Sequence, residues 1–286
     1  MEGIRSWLEG SPYGEALGVE LDRLDAEGVR LVLPYRDENS NPGKALHGGV
    51  AASMIQLAAQ AVARAALGAE AAPWHTSALQ VAYLSAAIGE PIVAEGALLR
   101  RGKELCFVDV AVSTEAGKPV ARGLATVRGR FGARDATRPV AVGDDGACDP
   151  GPMGPHIGRV PFIGALGLRV EHMTGGRSRI VLPWRERNAD ADGGVHEGAL
   201  LALLDTTGAM AGWAETGPGR YKASTPGIQA RVLAPPPCAD LVGYGRMVHR
   251  DAEILFCEVD VADLPEGRLV ARGAVNYRIV VPADAG

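Results

Sequence analysis

The two halves of this chain can be laid over one another. His47-Gly48-Gly49, which leads into a long Ala-rich stretch, lands on His196-Glu197-Gly198 at an offset of 149 residues. The same offset carries Pro12-Tyr13 onto Pro161-Phe162 and Ala16-Leu17-Gly18-Val19 onto Ala165-Leu166-Gly167-Leu168. It also carries Leu31-Val32-Leu33-Pro34-Tyr35-Arg36 onto Ile180-Val181-Leu182-Pro183-Trp184-Arg185. Gln80 meets Gln229, Phe107 meets Phe256, and after one inserted residue Val120-Ala121-Arg122-Gly123 meets Val270-Ala271-Arg272-Gly273. A register of this length means duplication, so the chain must fold as two like units. We expect modules at 1–132 and 159–286. The Pro/Gly/Asp-rich stretch between them, 133–158, reads as a linker.

Within each unit the element order is legible. A short amphipathic helix or turn (Ile4 to Leu8; near Phe162 to Leu166) precedes a strand ended by Pro34 or Pro183. A long helix follows, Gly49 to Leu67 and Gly198 to Glu215. Ala and Leu dominate it and its apolar character runs nearly all round, so it wants burial. Alternating strands come next: Ser77 to Ser85, Ile92 to Arg101, Glu104 to Thr114 and Pro119 to Arg130. Their repeats are Gly227 to Leu233, Leu241 to His249, Glu253 to Ala262 and Leu269 to Val280. The fold class is therefore α+β, with each long helix wrapped by an antiparallel four-stranded meander.

Composition narrows the function classes. Hydrophobic residues are 47% and charged residues 22%, with a net charge of -5. These values give no electrostatic reason to expect nucleic acid or an anionic membrane as partner. No apolar run is expected to span a bilayer, and the acidic start does not read as a signal peptide. Cys106, Cys148, Cys238 and Cys257 show no CxxC pair, and His75, His156, His172 and His249 form no metal-ligand cluster. No metal and no cofactor are expected, and the setting is expected to be reducing and cytoplasmic.

The series of strand, Asn41-x5-His47-Gly48-Gly49, long helix and strands resembles the hotdog fold, and its motif resembles the PaaI-like branch of acyl-CoA thioesterases. The resemblance covers nearly the whole chain as two fused hotdogs, an intramolecular pseudo-dimer. It implies hydrolysis of an acyl-CoA to a free acid and coenzyme A. It also implies association of two such chains into a homodimer through the outer sheet face, and an acidic residue nine positions after the motif His. A non-catalytic acyl-CoA-binding or scaffold protein is the alternative. An enoyl-CoA hydratase is disfavoured, because Asp190 and His196 are six apart and in the wrong segment.

The motif has a physical use. A helix N-terminus leaves amide N–H groups unpaired at the positive end of the helix dipole, and glycine lets a ligand reach them. A thioester carbonyl gaining negative charge suits that place, with Gly48 and Gly49 at the backbone and His47 and Asn41 beside it. Hydrolysis needs a carboxylate as nucleophile or as base. Nine helical residues span about 13 Å, so a helix cannot bring its own acid back to its own N-terminus. An antiparallel partner helix must supply it.

The two copies are complementary. The first has Asn41, His47 and Gly48 but Gln56 at the acid position. The second has Asp205 there, but Asp190 and Glu197 where the first has Asn41 and Gly48. One complete site is expected from Asn41, His47, Gly48 and Asp205, and a degenerate one from Asp190, His196, Glu197 and Gln56. Glu197 reads as a helix-start charge, and Gln56 as either a substrate contact or a structural hydrogen bond. The resemblance adds a Ser or Thr on the strand after the acid's helix to place the water. Thr225 fits best, with Ser224 second. Arg101 and Lys103, in the turn after Ile92 to Arg101, are candidates for coenzyme A phosphates, with Arg250 as the counterpart of Arg101. Met54, Leu57, Leu84 and Met210 are candidates for the acyl pocket.

Overall fold

The computed structural model describes residues 2–25, 28–68, 71–132 and 140–280. Part of the expected linker, 133–139, and the last six residues lie outside them. The first module runs α1 (Glu2–Glu9), α2 (Pro12–Leu17), β1 (Glu20–Leu24), β2 (Val29–Leu33), α3 (Gly48–Leu67), β3 (Trp74–Tyr83), β4 (Ile92–Arg101), β5 (Leu105–Thr114) and β6 (Pro119–Gly129). The second runs α4 (Gly154–Ile157), α5 (Pro161–Leu166), β7 (Arg169–Thr174), β8 (Arg177–Leu182), α6 (Glu197–Thr216), β9 (Lys222–Val232), β10 (Leu241–Asp251), β11 (Ile254–Asp263) and β12 (Leu269–Val280). The two expected modules are both present, and the class is α+β. Short edge strands β1 and β7 are additions. β1 has no two-residue alternation of burial that sequence could reveal.

Among the described residues all strands join one twelve-stranded antiparallel sheet in the order β1-β2-β4-β5-β6-β3-β9-β12-β11-β10-β8-β7. The four strands after each long helix do not form the expected meander. β3 does not neighbour β4; it crosses to pair with β6 on one side and β9 on the other. At the β3–β9 join Gln80 sits opposite Gln229, flanked by Leu79 opposite Ala230 and Val81 opposite Ile228. Because Gln80 and Gln229 are themselves repeat mates, the local twofold axis passes through this pair.

The sheet wraps α3 and α6, which are buried over most of their length. Small residues let them touch. A β-carbon on Gly49 would sit 2.8 Å from the Ala202 β-carbon, and one on Gly198 would sit 2.7 Å from Ser53 Oγ. As α3 advances from 49 to 53, α6 recedes from 202 to 198, so the helices are antiparallel. α3 does have the length and apolarity to cross a bilayer, contrary to expectation, but 83% of its apolar window is buried within the protein. That apolar surface serves the helix–helix and helix–sheet contacts.

The modules also exchange their N-terminal pieces. The Tyr13 amide donates to the Ala189 carbonyl at 3.1 Å, and the Phe162 amide to the Ser40 carbonyl at 3.3 Å. Asn39 and Asn188, both buried, pin each module's own short helix by donating to Leu17 O and Leu166 O. Residues 140–149 lie along the second module, held by Arg179 to Asp144 at 2.7 Å and Arg177 to Asp145 at 2.6 Å.

Candidate active site

His47 caps α3. Its Nδ1 accepts the Gly49 amide at 3.0 Å, and its ring packs on Phe162 of the other module with 4.9 Å between centroids. Burial lowers its pKa from 6.5 to about 4, so the ring is neutral near pH 7. His196 repeats this on α6: Nδ1 accepts the Gly198 amide at 2.9 Å, and the ring stacks on Tyr13 at 4.7 Å. In both, the cap uses Nδ1 and leaves Nε2 as the protonated nitrogen. Among the described residues the Gly48 amide has no acceptor, as a first-turn helical N–H need not.

Asp205, from the middle of α6, reaches that helix start. A β-carbon on Gly48 would lie 3.1 Å from Asp205 Oδ2 and 3.4 Å from Tyr83 Cζ. The acid of one module thus stands against the helix N-terminus of the other. Asp205 is 4% exposed, and its Oδ1 accepts from Thr225 Oγ1 at 3.2 Å. Burial raises its pKa from 3.8 to about 6, with the Thr225 hydrogen bond pulling the other way. An ionised carboxylate with one hydroxyl donor and an unoccupied amide beside it can activate or attack as well as stabilise negative charge. Ser224, exposed and one residue off, has no such contact to Asp205.

The pseudo-symmetric position is filled. Glu197 occupies the place of Gly48, and its side chain reaches across to the first module. There it accepts from Thr76 N (3.0 and 3.1 Å), Gln60 Nε2 (3.0 Å) and Gln56 Nε2 (3.2 Å). Glu197 is 4% exposed, and burial raises its pKa against these hydrogen bonds. Gln56, read from sequence as a possible substrate contact, is therefore turned to Glu197. Behind it Arg64 stacks between Trp7 (4.1 Å) and Trp74 (4.9 Å) and donates to Gln60. Gln60, Thr76 and Arg64 were missed in the sequence. The aligned Gly48 and Glu197 were the available signal.

A family profile described as a domain of unknown function, DUF4442, matches residues 5–128. A candidate esterase of Halobacterium salinarum is 32% identical over 117 residues, 40% of this chain and 77% of that protein. A solved protein of unknown function from Alicyclobacillus acidocaldarius, described as having a hot dog fold, superposes with a TM-score of 0.66. It is 17% identical and covers 92% of this chain and 97% of its own. The acyl-CoA thioesterase II TesB2 of Mycobacterium marinum superposes with a TM-score of 0.66 at 13% identity, covering 95% and 98%. The chain belongs to the family of the Halobacterium esterase, and its fold is the hotdog. These two superpositions are likenesses of fold and extend over both modules, so it is a double hotdog.

In this double hotdog the remaining candidates separate by end of the sheet. Asn41 lies half-buried in a turn closed by its amide on the Ala45 carbonyl at 2.7 Å, with no side-chain partner among the described residues. Arg101 and Lys103 are exposed, but they are not at the Asp205 end. Arg101 pairs with Cys106, Cys106 with Val127, and Val127 with Thr76, the residue that binds Glu197. Arg250 pairs with Leu255 and Leu255 with Tyr277, which lies at the register shift of β12 facing the Ser224–Gly227 stretch of β9 that contains Thr225. Met54 and Leu57 are fully buried in α3 and Met210 nearly so, whereas Leu84 is 57% exposed. Among the described residues no cluster of three or more His, Cys, Asp or Glu could hold a metal.

Proposed function

We propose that this thioesterase hydrolyses acyl-CoA thioesters, in the manner of the PaaI-like branch, at one composite site per chain. The thioester carbonyl would sit at the start of α3, its oxygen toward the Gly48 amide and the His47 side, with Asn41 beside it. Asp205 would either attack the carbonyl carbon or take a proton from an attacking water that Thr225 orients. With water as nucleophile the C–S bond then breaks to give the carboxylic acid, and the leaving thiolate takes up the proton held by Asp205. With Asp205 as nucleophile, C–S cleavage leaves a mixed anhydride on Asp205, which water hydrolyses to the acid, and the thiolate of coenzyme A is protonated. Arg250, with two strands between it and the stretch of β9 that contains Thr225, is the cation suited to the coenzyme A phosphates. The observation that carries this reading is the apposition of Asp205 on one module to the open Gly48 amide on the other.

The same reading makes the second cleft inactive, because Glu197 occupies it and Gln56 replaces the acid. That loss is also what favours the alternative, a non-catalytic acyl-CoA binder. We further propose a cytoplasmic protein that pairs as a homodimer of double hotdogs. Release of free thiol from a panel of acyl-CoAs separates the two functions. Asp205→Ala should abolish release, while Glu197→Gln should leave it within a few-fold of the parent. Equal losses in both variants, or no release by the parent with any acyl group, would end the one-site hydrolase reading.

A further inference from the structure

Gly48 carries the amide on which oxyanion stabilisation depends, yet glycine is the residue least able to hold its own backbone in place. It is also the first residue of α3, where the helical hydrogen-bond ladder is incomplete. Two side chains grip the peptide that follows it. His47 Nδ1 accepts the Gly49 N–H at 3.0 Å, and Tyr83 Oη donates to the Gly48 carbonyl at 3.1 Å. The N–H and C=O of one trans peptide point in opposite directions, so these bonds hold one plane from both sides. The Tyr83 ring also lies against Gly48, with Cζ and Cε1 3.4 and 3.5 Å from where a β-carbon would be.

The hydroxyl is a dependable donor. Burial, with the Asp205 charge adding to it, holds the phenol well above its ordinary pKa, so it keeps its proton. The repeat supplies an internal comparison. The position matching Tyr83 at the 149-residue offset is Val232, which can donate nothing. In that copy Glu197 replaces Gly48 and closes the cleft. The tyrosine is present where the helix start is open and absent where it is filled.

We propose that Tyr83 is a positioning residue of the thioester site, fixing the Gly48–Gly49 peptide so that the Gly48 amide is aimed in advance at the developing oxyanion. This rests on the acyl-CoA hydrolase reading for its kinetic consequence, but not for its structural one. Preorganised donors matter because they need no rearrangement as charge develops. Tyr83 acts through Gly48, so its loss should lower turnover more than substrate binding.

Tyr83→Phe removes only the hydroxyl. Compared with the parent, kcat should fall about 10-fold, less than the loss of an oxyanion donor itself. KM should stay within about two-fold and the melting temperature nearly unchanged. In ¹⁵N-glycine-labelled protein, the Gly49 amide resonance should move, because its nitrogen shares a peptide with the released carbonyl. Unchanged kcat with an active parent overturns the proposal and leaves the hydrolase reading intact. So does a fall in melting temperature alone, which would mark a merely structural tyrosine. If the parent hydrolyses no thioester, the hydrolase reading fails and the Gly49 resonance decides. An unmoved resonance then overturns the positioning role as well.

Discussion

Asp205 Oδ2 lies 3.1 Å from the point a β-carbon on Gly48 would occupy, although the two residues are 157 positions apart. Glycine at 48 is therefore a steric requirement of the open site and not a conformational one, since its backbone is helical. Gly48→Ala should fold normally, since the helix favours Ala, yet force Asp205 or Tyr83 to give way. Displacement of a reacting group by a fraction of an ångström to 1 Å can cost up to about 100-fold in rate. We expect kcat/KM for acyl-CoA hydrolysis to drop by about 10- to 100-fold. Gly48→Glu should abolish it while remaining folded, because the second copy already accommodates Glu197 at that place. Full activity in Gly48→Glu would disprove the assignment of the site.

Asp205 gives two linked pH predictions. With a pKa of about 6, its carboxylate form should make thiol release rise through pH 6 and level off above it, measured as kcat/KM against pH. The stability effect has the opposite sense. A carboxyl whose folded pKa is raised holds its proton more tightly when folded. Its favourable contribution is present below about 3.8 and lost as pH rises through about 6. The parent thus bears a cost on the order of 3 kcal/mol at pH 7 to 8. Asp205→Asn should be inactive but more stable there, the gain shrinking to little by pH 4 in urea unfolding. A pH-independent difference would contradict the burial argument.

His47 behaves in the reverse direction. Its pKa is lowered from 6.5 to about 4, so the unfolded chain takes up protons that the folded chain refuses. The stability it contributes is present above 6.5 and is lost as pH falls from 6.5 through about 4. Asn also caps helices through its side-chain oxygen but does not titrate. His47→Asn should therefore lose less stability than the parent on acidification, by on the order of 3 kcal/mol across that window. The comparison is of slopes, since loss of the Phe162 contact shifts both ends alike. Parallel unfolding free energies from pH 7 to 4 would rule it out.

What could be read from sequence followed the periodicities. The repeat at offset 149 gave two modules, and the apolar circumference of α3 and α6 gave buried central helices. The helix rise alone required that the acid come from the other module, and Asp205 against Gly48 has that arrangement. Strand alternation, however, reports faces and not neighbours, which is why the crossing of β3 from β4 to β9 was not legible. For the same reason sequence could not show that Arg101 lies in the row of Thr76, away from Asp205. Glu197 read as a helix-start charge because sequence position gives its electrostatic surroundings. That its side chain crosses to Thr76, Gln56 and Gln60 depends on the antiparallel packing of α3 and α6. Tyr83 carried a signal, its mismatch with Val232, that only the geometry around Gly48 makes meaningful.

On the one-site reading Glu197 closes the second cleft, and removing it should show this. Its carboxylate accepts four hydrogen-bond contacts from Thr76 N, Gln56 and Gln60. Glu197→Gly strips these donors of their acceptor, which costs about 1–3 kcal/mol per unsatisfied buried group, so the melting temperature should fall. The Asp205 site is built from other residues, and turnover per chain should stay near the parent value. A coenzyme A thioether, which cannot be hydrolysed, should then titrate calorimetrically to one equivalent on the parent chain and toward two on Glu197→Gly. The second equivalent should yield no added turnover until Gln56→Asp is combined with it. One equivalent on both proteins would mean that the cleft is shut by more than Glu197, with Arg64 between Trp7 and Trp74 the next group to remove.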